Sequence, residues 1–104
     1  MNGKEKAADT LRTAASLLDE RAELYGDPSD NFSRISRIAS VILDAHVTRY
    51  EVAAVLAAVK LGRIPNDPEY GDSYDDAINY IVFMKMFREE YVALNKIGKG
   101  LKVD

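Results

Sequence analysis

A small group of charged and aromatic residues in the second half of the sequence could bind a phosphate or a metal ion. Lys60 and Arg63 lie three residues apart, and Asp72, Asp76 and Tyr80 follow at intervals of four. Residues spaced by four share one face of a helix, so the last three are expected to form one polar line. Two carboxylates one turn apart can hold Mg²⁺, which prefers oxygen ligands. A lysine and an arginine can hold phosphate oxygens.

The same spacing also fits a purely structural role. If the two helices that carry these residues pack antiparallel, Lys60 and Arg63 face Asp72 and Asp76 and form ion pairs between the helices. Acidic residues also belong in the first turn of a helix, where they interact favourably with the helix dipole. The spacing leaves both hypotheses open, a ligand site and a set of ion pairs.

A second cluster precedes a turn near the start of the sequence. Arg21 and Tyr25 lie one helical turn apart and are followed by Gly-Asp-Pro at residues 26–28. An arginine could bind a phosphate while a tyrosine stacks on a base. Glycine and proline at these positions are also typical of one helix ending and the next beginning. Taken alone, this cluster favours the turn interpretation.

Apolar residues recur at helical spacing in four segments, which predicts an all-α fold. The first helix covers about residues 4–24 and the second begins near residue 30. The third begins at a capping box formed by Thr48 and Glu51, and the fourth covers about residues 72–94. We expect a compact bundle of four main helices over residues 1–95, with the last two antiparallel, and a flexible tail over residues 96–104. The apolar stripes of the first three helices are Leu11, Ala14, Leu18, Ala22 and Tyr25; then Phe32, Ile35, Ala39 and Ile42; then Val52, Val55, Leu56 and Val59.

The fourth helix predicts an oligomer. Its middle is apolar on nearly all sides, and one small bundle cannot easily cover every one of these residues. We therefore expect a homo-oligomer, most simply a dimer. The residues that motivate this prediction are Ile81, Phe83, Met84 and Phe87.

Composition narrows the class of protein further. The 104 residues suit a single domain, and a net charge of −3 argues against general nucleic-acid binding. Cysteine is absent and His46 is the only histidine, which excludes thiolate chemistry and leaves little scope for histidine-based catalysis. No apolar run approaches the ~20 residues that a membrane span needs, and the first residues lack the apolar core of a signal peptide. We expect a cytoplasmic protein with no membrane contact.

Three motifs resemble those of a family of small phage and prophage proteins of unknown function. They are R-x-x-x-Y-G-D-P-x-x-N-F from Arg21 to Phe32, K-x-x-R from Lys60, and D-S-x-x-D-x-x-x-Y from Asp72 to Tyr80. That family is distantly similar to a phage nucleotide-modification-associated family and to the MazG-like all-α nucleotide pyrophosphohydrolases. The latter are typically oligomeric and hydrolyse nucleoside triphosphates with magnesium held by E-x-x-E and E-x-x-D motifs. The resemblance implies a nucleotide-directed helical protein acting in a bacterial host cell.

The sequence departs from the hydrolase pattern at the metal site. The second and third predicted helices carry no E-x-x-E, and only the aspartates at 72, 75 and 76 could replace E-x-x-D. Two functions follow as hypotheses. The first is a nucleotide-binding or nucleotide-processing protein, with phosphate-binding residues Lys60, Arg63, Arg21, Tyr25 and Tyr80 and with Mg²⁺ on Asp72 and Asp76. The second is a non-enzymatic oligomeric interaction module in which the charged cluster forms structural ion pairs.

Overall fold

The computed structural model describes residues 1–98, which form four helices and no strand. The helices are α1 (Gly3–Tyr25), α2 (Pro28–Leu43), α3 (Arg49–Arg63) and α4 (Gly71–Gly98). The predicted all-α class is confirmed. None of these helices is both long enough and apolar enough to cross a membrane.

Local sequence explains where the first three helices begin and end. The side chains of Asn2 and Asp27 accept hydrogen bonds from the first turns of α1 and α2. α1 stops at Gly26, whose φ of 80° suits a residue without a Cβ. α3 begins with the predicted capping box, in which Thr48 accepts a hydrogen bond from the Glu51 amide and the Glu51 carboxylate accepts one from the Thr48 amide. Because α1 ends at Tyr25 and α2 begins at Pro28, the turn between these two helices is tight. The turn places both helices beside one cavity.

The helices α3 and α4 pack antiparallel, as the sequence predicts, and form the most extensive helix pair. Lys60, near the end of α3, contacts Asp76, near the start of α4. Arg49, at the start of α3, contacts Glu90, far along α4. These two ion pairs fix the direction and the register of the helix pair.

The core lies between α2, α3 and α4 and is built on aromatic rings. Phe32, Phe83 and Phe87 are buried together with Val52 and Ala53. The Phe32 ring centroid lies 5.2 Å from that of Phe83 and 5.4 Å from that of Phe87. α1 packs mainly on α4 and only lightly against α2.

The structure corrects two expectations about α4. Phe83 and Phe87 do not form an outer surface, because the single bundle already buries both rings, and Met84 packs against the same core. Of the four residues that motivated the oligomer, Ile81 alone is exposed. The helix also continues to Gly98, past its predicted end near residue 94. The rest of the predicted flexible tail, residues 99–104, lies outside the described residues.

The bundle is elongated where a compact one was expected. It measures 48 × 30 × 26 Å, with a radius of gyration of 15.6 Å. A compact domain of this length has a radius of gyration of about 13 Å. The 28 residues of α4 account for the long dimension, since a helix rises 1.5 Å per residue.

Candidate functional site

A cavity of about 460 Å³ lies between the four helices and is the candidate site. Ligand sites in proteins usually measure roughly 300–1,000 Å³ and combine apolar walls with a few converging polar groups. This cavity has that composition. Its polar lining residues are Arg21, Tyr25, Asn31, Lys60, Asp76, Asn79 and Tyr80, and its larger apolar ones are Leu18, Phe32, Ile35, Leu56 and Phe83.

Asp76 is the centre of the polar wall. Its Oδ1 lies 3.1 Å from Nη2 of Arg21, and its Oδ2 lies 2.9 Å from Nζ of Lys60. The Asp76 side chain is only 10% exposed, whereas those of Lys60 and Arg21 are 18% and 43% exposed. One buried carboxylate therefore joins α4 to both α1 and α3, and each of its oxygens has a cationic partner.

These contacts determine the protonation of the cluster. Burial would raise the pKa of Asp76, but the hydrogen bonds and positive charges of Lys60 and Arg21 outweigh it and lower the pKa below its ordinary value. The hydrogen bond to Asp76 raises the pKa of Arg21. At neutral pH the cluster consists of one carboxylate and two cations, so it carries a net positive charge.

Asn79 fixes the part of α4 that faces the cavity. Its amide nitrogen donates a 2.8 Å hydrogen bond to the Ala14 carbonyl in α1, and the side chain is buried. The amide oxygen of Asn79 is thereby oriented as an acceptor. Asn31 and Tyr80 also line the cavity. The backbone amide of Asn31 donates to the Asp27 carbonyl, but the side chains of Asn31 and Tyr80 make no hydrogen bond within residues 1–98. Several polar groups thus stay available beside the charged cluster.

An aromatic wall lies next to the charged cluster. The Tyr80 ring contacts Phe32 edge-on at 6.4 Å between centroids and lies 6.5 Å from Phe83. Tyr25, 56% exposed, lies at the end of α1 and also lines the cavity. An aromatic surface beside two cations suits a ligand that combines a planar ring with an anionic group.

The structure divides the residues that the sequence grouped together. Arg21, Tyr25, Lys60, Asp76 and Tyr80 line the cavity. Arg63 and Asp72 do not line it. Both are exposed, and Asp72 accepts a 3.2 Å hydrogen bond from the hydroxyl of Tyr70. Among residues 1–98 no group of three or more histidine, cysteine or acidic side chains is placed to hold a metal ion.

Asn79 lines the cavity, although the sequence motifs predict no role for it. Its position three residues after Asp76 and one before Tyr80 was a usable signal, because all three lie on neighbouring positions of one helix face. Arg21 was expected close to Asp76 in the same binding site, but the ion pair between them was not predicted. That contact joins segments 55 residues apart, and helical periodicity carries no information about it.

A family model described as a domain of unknown function, DUF6378, matches residues 9–88. The chain belongs to this family. The matched span contains every residue that lines the cavity.

A phage protein is among the relatives of this chain. The chain is 29% identical over 73 residues to the Gene 55 protein of Mycobacterium phage D29. The alignment covers 70% of the chain and 48% of that protein, so the chain spans about half the length of the curated relative it matches. No solved structure matches the chain. These comparisons support a phage-associated helical family of unknown function.

Proposed function

We propose that this protein binds a nucleotide in the cavity between its four helices and acts in the cytoplasm of the bacterial host. The phosphate would bind to Arg21 and Lys60, and the base would lie against Phe32 and Tyr80. The observation that carries the proposal is the convergence of two cations from different helices beside an aromatic wall in one cavity.

Arg21 and Lys60 have enough N–H donors to bind a phosphate group while they keep their contacts with Asp76. Arg21 has five N–H donors and Lys60 has three, whereas each makes one contact with Asp76. The other donors can reach phosphate oxygens without breaking the ion pairs. Asn79 and Tyr80 add an acceptor and a hydroxyl, which suit the polar edge of a base or a ribose hydroxyl.

The residues fit nucleotide binding better than magnesium-dependent hydrolysis. Both oxygens of Asp76 contact cations, so Mg²⁺ would have to compete with Lys60 and Arg21 for them. Asp72 contacts Tyr70 and does not line the cavity. The resemblance to MazG-like hydrolases therefore supports the class of ligand and not the reaction. Magnesium on Asp72 and Asp76 stays a prediction, and the experiment below includes it.

Thermal shift with a panel of ligands tests the proposal. Adenosine, AMP and ATP, and the three uridine counterparts, are compared with and without magnesium chloride. A ligand at 100 times its Kd stabilises the native state by about 2.7 kcal/mol. That corresponds to a rise in Tm on the order of 10 °C for a domain of this size. We expect a rise with nucleotides, none with nucleosides, and no requirement for magnesium.

Two matched variants locate the binding site. Lys60→Met should remove most of the nucleotide-induced rise in Tm, measured against the Tm of the same variant without ligand. Lys85→Met serves as the control, because Lys85 is 78% exposed and pairs with Glu89 outside the cavity. If none of the six compounds changes the Tm, or if both variants respond like the parent protein, the proposal is wrong.

The second candidate function is a non-enzymatic interaction module. The observation that favours it is the saturation of Asp76, whose two contacts join three helices and give the charged cluster a structural role. A protein without any nucleotide response but with a strong loss of stability in Asp76→Asn would support this candidate.

A further inference from the structure

The charges around the cavity limit the charge of the ligand that it can hold. Among the described residues that line the cavity, the charged ones are Arg21, Lys60 and Asp76. Burial alone would raise the pKa of Asp76, but Lys60 and Arg21 lower it, so Asp76 is a carboxylate at neutral pH. Two cations and one carboxylate leave the lining of the cavity with a single positive charge in excess.

The turn between α1 and α2, at the edge of the cavity, does not change this balance. Arg34 donates a 3.2 Å hydrogen bond to the Tyr25 carbonyl there, and the Asp27 carboxylate accepts one of 3.1 Å from the Ser29 amide. The side chains of Arg34 and Asp27 are exposed, have opposite charges and do not line the cavity. They therefore offset each other outside it.

A phosphate that contacts both cations must also lie next to Asp76. Lys60 and Arg21 reach the two carboxylate oxygens at 2.9 and 3.1 Å, so the three charged groups share one part of the wall. The side chains of Asp76 and Lys60 are largely buried, so water only weakly screens the repulsion between the carboxylate and a bound phosphate. Each further negative charge on the ligand increases this repulsion, and no other cation lines the described cavity to offset it.

A single phosphate group matches this arrangement. A phosphate monoester carries a charge of about −1.5 to −2 at pH 7 and three acceptor oxygens. Its charge is largely offset by the excess positive charge of the cavity, and the N–H donors that Arg21 and Lys60 do not use for Asp76 can reach its oxygens. A diphosphate or triphosphate adds negative charge with each further phosphate and leaves that charge without a partner.

We infer that the ligand of this site is a nucleoside monophosphate, and that Asp76 sets this preference by neutralising one of the two cations. The inference rests on the proposed nucleotide binding and names the class of nucleotide. It differs from what the resemblance to MazG-like hydrolases implies, since those enzymes act on triphosphates.

Isothermal titration calorimetry of the full chain with AMP and ATP, and with UMP and UTP, tests the inference. EDTA is present so that magnesium does not neutralise the triphosphates. For whichever base binds, we expect the monophosphate to bind at least about tenfold more tightly than the triphosphate, a difference of about 1.4 kcal/mol. A triphosphate that binds as tightly as its monophosphate would overturn the inference and leave the proposed function intact. If none of the four nucleotides binds, both are wrong.

Asp76→Asn tests whether the carboxylate sets the preference. The cavity then has two positive charges in excess, so the ratio of the triphosphate Kd to the monophosphate Kd should fall severalfold toward one. If Asp76 only positioned Arg21 and Lys60, its loss would weaken both ligands alike. An unchanged ratio would therefore overturn the role given to Asp76.

Asp72→Asn is the matched control for this charge change. Asp72 lies one turn before Asp76 in α4, is exposed and does not line the cavity, so the ratio of the two Kd values should equal that of the parent protein. Circular dichroism at the temperature of the titration checks that both variants are folded. Should Asp76→Asn not fold, the ratio in the parent protein decides the inference.

Discussion

The two ends of the α3–α4 pair each carry an ion pair, but the buried partner differs. At one end the carboxylate of Asp76 is 10% exposed and is shared by Lys60 and Arg21. At the other end the cation is buried: Arg49 is 10% exposed, while its partner Glu90 is 42% exposed. The buried member of an ion pair is the one whose desolvation must be offset by its contacts.

The packing around the two pairs also differs. The Arg49 guanidinium lies over the Phe87 ring at 4.5 Å, and Phe87 belongs to the buried aromatic core. Asp76 borders a cavity of about 460 Å³. We infer that the Arg49 end primarily stabilises the fold and that the Asp76 end combines stability with space for a ligand. The predictions below test this difference.

The largest expected effect is at the well-packed end. Phe87 is 2% exposed, and Phe87→Ala should lower the free energy of unfolding by about 3–5 kcal/mol, because it leaves a sealed void beside Arg49. Phe83→Ala should cost less, because Phe83 borders the existing cavity and its loss enlarges a space that water can enter. Urea denaturation of both variants measures the difference. A larger loss for Phe83→Ala would contradict the assignment of the two ends.

An intermediate effect is expected when each ion pair loses its negative charge. Asp76→Asn should lower the free energy of unfolding by about 2 kcal/mol, less than the roughly 3–5 kcal/mol of a fully buried pair because Arg21 is 43% exposed. The asparagine oxygen can accept from one cation, but its amide nitrogen cannot accept from the other. Glu90→Gln should cost under about 1 kcal/mol, since Glu90 is half-exposed and the amide oxygen still accepts from Arg49.

Asp72→Asn provides the control for the charge change in the same helix. Asp72 is exposed and accepts only from Tyr70, so this substitution should stay within about 0.5 kcal/mol. Thermal denaturation at pH 7 measures all three variants. If Asp76→Asn were neutral or stabilising, Asp76 would not have the ion-pair role described here, and its assignment as a metal ligand would gain support.

Local features of this fold could be predicted from the sequence, whereas long-range ones could not. The capping box at Thr48 and the turn at Gly26 depend on neighbouring residues, and both are present. Antiparallel packing of α3 and α4 follows from the short connection between them. The contact between Arg21 and Asp76 depends on how α1 lies on α4, which no periodicity encodes.

Burial of the apolar stripes was predictable only in part. Phe32 and Val52 are buried as expected, but Ile42, Val55 and Leu11 are exposed in the single chain. The periodicity of a helix identifies a face that requires cover, without saying which element supplies it. α1 packs mainly on α4 and only lightly against α2, and Leu11 and Ile42 stay exposed.

The smallest expected effect is a change in stability with pH that distinguishes the Asp76 end from the rest of the molecule. The pKa of Asp76 is lower in the folded state than in the unfolded state, where an aspartate titrates at about 3.9. Its contribution to stability is therefore complete above that unfolded value and is lost as the pH falls through the lower folded value. Glu51 also has a lowered pKa, chiefly because the Thr48 backbone amide donates a hydrogen bond to its carboxylate. The whole protein therefore loses stability in acid for more than one reason. The difference in Tm between the parent protein and Asp76→Asn isolates the single carboxylate, since Glu51 is common to both.

We expect this difference to be constant from about pH 5 to 7 and to shrink below about pH 4. A difference that stays constant down to pH 2 would mean that Asp76 has the same pKa in both states, and that its contribution to folding does not depend on the charge of its carboxylate.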